Sequence, residues 1–114
     1  MHELGTISYV IRTVERLAEE NSLSEVASVT LEVGEVSGII PDYLTDYWQY
    51  ARKKSALLHD TELRIETLPA VTYCEGCGQT YPTVQYAKIC PHCGSAETWL
   101  LTGNEYNIKE IEAR

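Results

Sequence analysis

Two Cys-x2-Cys pairs, Cys74-Glu75-Gly76-Cys77-Gly78 and Cys90-Pro91-His92-Cys93-Gly94, constrain this chain more than anything else in it. Each sets two thiols three residues apart and follows them with a glycine that can adopt positive φ. The backbone can therefore tighten into a knuckle whose amides face sulfur. Twelve residues separate the knuckles, enough for a short hairpin that brings them face to face. Four thiolates then close a tetrahedral shell, which suits Zn²⁺ at about 2.3 Å per bond. A full shell leaves no position for substrate, so the expected site is structural. Iron can occupy the same all-sulfur set; zinc is favoured because nothing nearby suggests electron transfer. Free buried cysteines or a pair of disulfides are the competing readings, and a reducing compartment argues against the disulfides. His92 lies inside the second knuckle and cannot easily reach the metal while Cys90 and Cys93 do. It is read as a solvated or supporting imidazole, the sharper alternative being exchange into the shell.

The rest of the chain bounds what this site can serve. At 114 residues it is one domain, or a small domain with an appendage, and its 44% apolar content is enough for a core. No apolar run approaches the ~18 residues of a membrane span, and Met-His-Glu-Leu-Gly does not begin like a signal peptide. The cytoplasm is the expected compartment. The formal net charge is -8, which disfavours nucleic acid and anionic membrane as partners and suits a cation or a basic protein patch. Around the knuckles the one base is Lys88, against Glu75 and Glu97. The cysteine site is full and no Ser/His/Asp grouping presents itself, so an enzyme is not expected. A rubredoxin-like electron carrier remains the rival, and it would be red and iron-loaded.

Periodicity places the elements. Leu4, Ile7, Ile11, Val14 and Ala18, with Val10 and Leu17 beside them, form a helical stripe. Ser28 to Val33 alternates as a strand. Pro41 opens a second helix carrying Leu44, Tyr47, Trp48 and Ala51 at helical spacing. Leu63 to Glu66 alternates again, and Pro69 closes it. After the cysteine segment, Tyr106 to Ile111 is a last strand whose Tyr106, Ile108 and Ile111 do not keep one parity, which predicts a bulge or an early end. Strand–helix–strand favours a parallel pair. The expected fold class is α/β, α+β-like: two helices packed on a small mixed three-stranded sheet. A zinc-ribbon or rubredoxin-knuckle subdomain over 70–99 is inserted between the parts 1–69 and 100–114.

The opening Met1-His2-Glu3 reads as a second, open metal site. An initiator Met before a large residue is usually retained, so a free amine is expected. The amine and the His2 amide nitrogen close a five-membered chelate ring on a metal, and the amide and His2 Nδ1 close a six-membered one. Glu3 can supply the fourth position through its amide or its carboxylate. Such a tetragonal N/O set is what Ni(II) and Cu(II) prefer. Taken alone, a His at position two is more often an inert terminal residue.

The chain resembles the hydrogenase maturation nickel metallochaperones of the HypA/HybF family. The resemblance rests on Met1-His2-Glu3-Leu4, the Val33-Gly34-Glu35-Val36-Ser37-Gly38 turn, the Tyr-rich second helix, both knuckles and the Ile108-x-x-Ile111-Glu112 ending. It implies nickel at His2 and Glu3, structural zinc at Cys74, Cys77, Cys90 and Cys93, and no enzymatic activity. It also implies a nickel-binding GTPase partner and delivery to the large-subunit precursor of nickel–iron hydrogenase, with urease as a further client in some members. It leaves a homodimer open. Some relatives flank both knuckles with histidines that link zinc coordination to pH. Here Gly78-Gln79 follows the first knuckle and only His92 accompanies the second.

Three further groups are read as ordinary structure. Glu35, Asp42 and Asp46 are taken as solvated charges rather than metal ligands. His59 is taken as a solvated loop residue. Tyr43, Tyr47, Trp48 and Tyr50 are assigned mainly to the core, with part of the cluster available as a docking patch.

Overall fold

The computed structural model describes residues 2–114 apart from the side chain of His2. Met1 and the His2 side chain, both singled out above, lie outside the described residues. In chain order the elements are α1 (His2–Glu20), β1 (Val26–Gly34), α2 (Pro41–Ala51), a 3-10 turn (Arg52–Lys54) and β2 (Glu62–Leu68). They continue with β3 (Val71–Cys74), β4 (Thr80–Pro82), α3 (Thr83–Tyr86), β5 (Thr98–Thr102) and β6 (Tyr106–Ala113). The chain divides into two compact units. One comprises Met1–Glu32, Ile39–Glu66 and Asn107–Arg114; the other comprises Val33–Gly38 and Thr67–Tyr106.

In the first unit α1 packs against α2. The buried stripe of α1 is Ile7, Val10, Val14 and Ala18, spaced three, four and four apart, so they share one helical face. This corrects the expected stripe in phase: Val10 takes the place of Ile11, and Leu4 is exposed. Glu3 and Thr6 fill the buried positions at the helix start instead. On α2, Leu44 and Trp48 are fully buried, while Tyr43 and Tyr50 face solvent. Trp48 Nε1 donates to the Thr61 carbonyl at 3.0 Å, and Thr61 Oγ1 donates to the Val26 carbonyl at 2.6 Å. The indole is thus buried with its polar atom satisfied. Each such large apolar side chain contributes roughly 2 kcal/mol by leaving water.

The three long strands order as β2-β1-β6. Arg114 N donates to Glu25 O at one end of the β1/β6 pair and Gly34 N to Glu105 O at the other, so these strands run antiparallel. Across the sheet Arg64 meets Glu112 and Lys109 meets Glu66, so β2 also opposes β6 and runs with β1. The sheet is mixed, as expected. β6 continues to Ala113, past Ile111, where the lost parity predicts an early end.

The second unit contains an antiparallel sheet of order β4-β3-β5 that periodicity does not reveal. Its strands are three to five residues long, too short to carry a hydrophobic period. The twelve residues between the knuckles do not form a plain hairpin. They provide β4 and α3, and the first knuckle is itself the turn between β3 and β4. Tyr81 packs with Cys74 and Cys90 in a buried cluster, its hydroxyl donating to the Ala87 carbonyl at 2.8 Å. The Val33–Gly38 turn belongs here too. Val36 N donates to Gly103 O at 2.9 Å, Glu35 N donates to Leu68 O at 2.8 Å, and the Glu35 carboxylate accepts from Ala70 N at 2.9 Å. Glu35 is therefore engaged in holding a turn.

Candidate metal centre

The two knuckles fold identically at the backbone. Gly78 N donates to Cys74 O and Gly94 N to Cys90 O, both at 2.8 Å. Cys74 N bonds Gln79 O at 2.9 Å and Cys90 N bonds Ser95 O at 3.0 Å. Gly78 and Gly94 sit at φ +74° and +75°, a conformation that glycine reaches without a Cβ penalty. In each pair the first cysteine is buried and the second exposed.

This matched geometry brings all four sulfurs within 4.8 Å of one another. Cys74 Sγ lies 3.6 Å from Cys93 Sγ, and Cys77 Sγ lies 3.7 Å from Cys90 Sγ. A disulfide needs about 2.05 Å, so these are not bonded pairs. A tetrahedron of ~2.3 Å metal–sulfur bonds has edges of about 3.8 Å, and both contacts approach that edge. The donor set fits a tetrahedral, thiophilic metal with all four positions taken. His92 donates its backbone N–H to Cys90 Sγ at 3.3 Å, and its side chain is exposed.

The thiols do not hold their protons equally. Burial pushes Cys90 up, but the N–H groups of His92 and Cys93 and the thiols of Cys77 and Cys74 outweigh it and bring it down to about 6. The Ser95 N–H lowers Cys93, yet contact with Cys74, burial, and contacts with Cys77 and Cys90 carry it up to about 12. The Gln79 N–H lowers Cys77 in the same way, but burial and contacts with Cys90 and Cys74 outweigh it and leave that thiol raised. Thiolate charge forms first at Cys90 and then opposes ionisation of its neighbours. A divalent cation removes that opposition, which is how metal binding and proton release are coupled.

At the other candidate site, α1 begins at His2 and Glu3 is 8% exposed. Glu3 Oε2 accepts the backbone N–H of Ile40 at 3.2 Å. Ile40 is the N-cap of α2 and offers no side-chain cap of its own. The carboxylate supplies negative charge where the helix dipole favours it. Residue spacing does not reveal this tie, although an apolar residue directly before Pro41 signals a helix start that must be capped from elsewhere. His59 is exposed, its Nδ1 3.3 Å from Asp60 Oδ1. Among the described residues, the four cysteines are the one grouping of three or more His, Cys, Asp or Glu ligands.

Comparison with known proteins gives a consistent answer. A family model described as "Hydrogenase/urease nickel incorporation, metallochaperone, hypA" matches residues 1–113. The chain is 33% identical over 112 residues to the hydrogenase maturation factor HypA of Geobacter metallireducens, covering 98% of each protein. It is 30% identical, again over 98% of each, to the HypA of Albidiferax ferrireducens. The structure of the nickel metallochaperone HypA from Helicobacter pylori superposes with a TM-score of 0.72, at 22% identity, over 97% of this chain and 96% of that one. A second HypA structure gives 0.76, at 23% identity, over 100% and 97%. These two share the fold. No described helix is long and apolar enough to cross a membrane. The chain belongs to the HypA family, metallochaperones of hydrogenase and urease nickel incorporation rather than enzymes.

Proposed function

We propose that this protein carries Ni(II) on its N-terminus and releases it, with a partner GTPase, to the large-subunit precursor of nickel–iron hydrogenase in the cytoplasm, with urease as a second client. One observation carries the reading. The four cysteines form a set that one tetrahedral metal fills, and no second cluster of His, Cys, Asp or Glu ligands exists among the described residues. A cargo metal is then best held by a combination of side chain and backbone nitrogen, which Met1-His2-Glu3 provides.

In this scheme His2 donates its imidazole and amide, and Met1 donates its amine. The Glu3 carboxylate stays on Ile40, and the fourth planar position is left for a ligand other than the Glu3 amide. Nitrogen donors in a plane suit Ni(II). The site opens a 19-residue helix, and α1 is anchored to the core through Ile7 and Val10. Cys74, Cys77, Cys90 and Cys93 hold Zn²⁺, whose role is to fix the knuckles. The functional division runs between 1–69 with 100–114, which handles nickel, and 70–99, which is organised by zinc.

The test is complementation. A strain lacking its own copy is grown at limiting nickel with the wild type or His2→Ala, and hydrogenase activity is measured. The wild type should restore activity, and His2→Ala should restore it only when nickel is supplied in excess. Full maturation by His2→Ala at limiting nickel overturns the reading.

A further inference from the structure

The solvent side of α2 carries its charge in two blocks of opposite sign. Leu44 and Trp48 turn to the core. Asp42, Tyr43, Asp46 and Tyr50, linked by steps of three or four residues, share the opposite side, and all four are exposed. Lys53 and Lys54 follow in the 3-10 turn, and Lys54 Nζ stands 4.3 Å from the centre of the Tyr50 ring. Arg52 turns aside and donates to the Thr61 carbonyl at 3.5 Å. The exposed side is thus acidic at its start and basic at its end, with two tyrosines 51% and 64% exposed along it. Among the described residues Asp42, Asp46 and Lys53 enter no ion pair.

Such a face is complementary to itself when reversed. An antiparallel copy of α2, related by a twofold axis midway between Asp46 and Tyr50, sets Asp42 opposite Lys54 of the other copy. It also sets Tyr43 opposite Lys53 and Asp46 opposite Tyr50, and the symmetry makes each of these contacts twice. The Lys53 ammonium can then rest on the Tyr43 ring, the arrangement that Lys54 already makes with Tyr50 within one chain. The Tyr50 hydroxyl can donate to Asp46. Parallel copies would set Asp42 on Asp42 and Lys54 on Lys54, and repel. A different protein would have to present the reversed pattern at the same spacing, whereas a second copy has it by construction.

The net charge of -8 opposes self-association of any kind. At ~0.15 M salt, however, charges more than about 8 Å apart are largely screened, so the groups in contact decide. We infer that the exposed side of α2 is a self-association surface, through which two copies of this chain pair antiparallel as a twofold dimer. An 11-residue helix is about 16 Å long, so the paired faces bury well under the ~1,200 Å² of a stable complex. The dimer is therefore weak and exchanges readily with monomer. Glu3 is tied to Ile40 at the start of α2, so the two Glu3 residues stand at opposite ends of the helix pair. The inference goes beyond the nickel reading and does not depend on it.

The experiment is sedimentation equilibrium of zinc-loaded full-length protein from roughly 10 μM to 1 mM, the range in which a weak complex forms. The wild type should pass from monomer to dimer and no further. Lys53→Glu with Lys54→Glu makes the face all acidic, and Asp42→Lys with Asp46→Lys makes it all basic. Each pair of changes should raise the dissociation constant by at least about tenfold, and an equimolar mixture of the two variants should associate again at least as tightly as the wild type. The all-basic variant brings the net charge nearer zero, so an effect of net charge alone would strengthen its association instead. Zinc content and the near-ultraviolet dichroism of buried Trp48 confirm that each variant is folded. A wild type that stays monomeric throughout, a dimer unchanged by either reversal, or a mixture that does not associate overturns the proposal. So does growth beyond the dimer, which marks a head-to-tail contact rather than a twofold one.

Discussion

Glu3 Oε2 accepts the backbone N–H of Ile40 at 3.2 Å, so the third residue of the chain is fastened to the start of α2. The bond makes one acidic residue serve two purposes. Its carboxylate stabilises a helix start that has no cap of its own, and its main chain sits next to the residue proposed to ligate nickel.

Glu3→Ala should therefore lower the free energy of unfolding by about 1–3 kcal/mol, the usual consequence of removing a buried charged acceptor. Glu3→Gln keeps an acceptor oxygen and should cost less. Urea denaturation gives both values. Glu3→Gln should also still bind one Ni²⁺ per chain. A folded Glu3→Gln protein that has lost nickel would show that the carboxylate is itself the ligand.

Removing the cysteine-bound metal should unfold one part of the molecule selectively. With chelator, or in Cys74→Ala, amides of 67–106 should lose hydrogen-exchange protection, while Ile7, Val10, Val14 and Trp48, which belong to the other compact unit, keep theirs. Retention of zinc and of protection in Cys74→Ala would contradict a structural role for the shell.

Two glycines should respond in opposite directions. A Cβ on Gly34 would collide with the Gly103 backbone, itself at φ +106° against Ala70. Gly34→Ala should thus destabilise by about 2 kcal/mol or more. Gly5 lies in α1, and a methyl group there would meet nothing within 4 Å, so Gly5→Ala should stabilise by about 0.5–1 kcal/mol. Thermal midpoints of the two variants decide this.

The convergence of Cys74, Cys77, Cys90 and Cys93 is legible in the sequence because ligand spacing is a local property. The long elements are legible because α1, β1 and α2 are long enough to show a period. What escapes depends on contacts far apart in sequence. Val10 rather than Ile11 is buried because Glu3 and Thr6 turn inward at the helix start, and Glu3 turns inward because Ile40 needs an acceptor. Trp48 lies in the core, as its spacing predicts, but Tyr43 and Tyr50 are exposed on the same helix, since one buried stripe cannot hold every ring. The β4-β3-β5 sheet is hidden by strands too short to alternate, and Val33–Gly38 joins it through bonds to Leu68, Ala70 and Gly103.

Acid should weaken the fold in part through Glu112. Its carboxyl is held below the ordinary 4.5 by the Ser28 hydroxyl first and by Arg64 second. A folded-state value below the unfolded one means the contribution is present above that ordinary value and is lost as pH falls through the folded value. The drop in urea midpoint between pH 7 and pH 3 should be smaller in Glu112→Gln than in the wild type. An equal drop would mean that Glu112 does not take part in acid unfolding.

The central claim is nickel at Met1-His2-Glu3, and one Ni²⁺ titration tests it most directly. Zinc-loaded protein with its native terminus is compared with a Gly-Ser-extended form and with His2→Ala, each followed by calorimetry and by the d–d absorption of planar nickel. The native protein should bind one Ni²⁺ per chain with the planar band, the extended form should bind more weakly or with altered geometry, and His2→Ala should lose binding while keeping its zinc. Undiminished planar nickel in His2→Ala, or loss of nickel only when the cysteines are changed, would contradict the account.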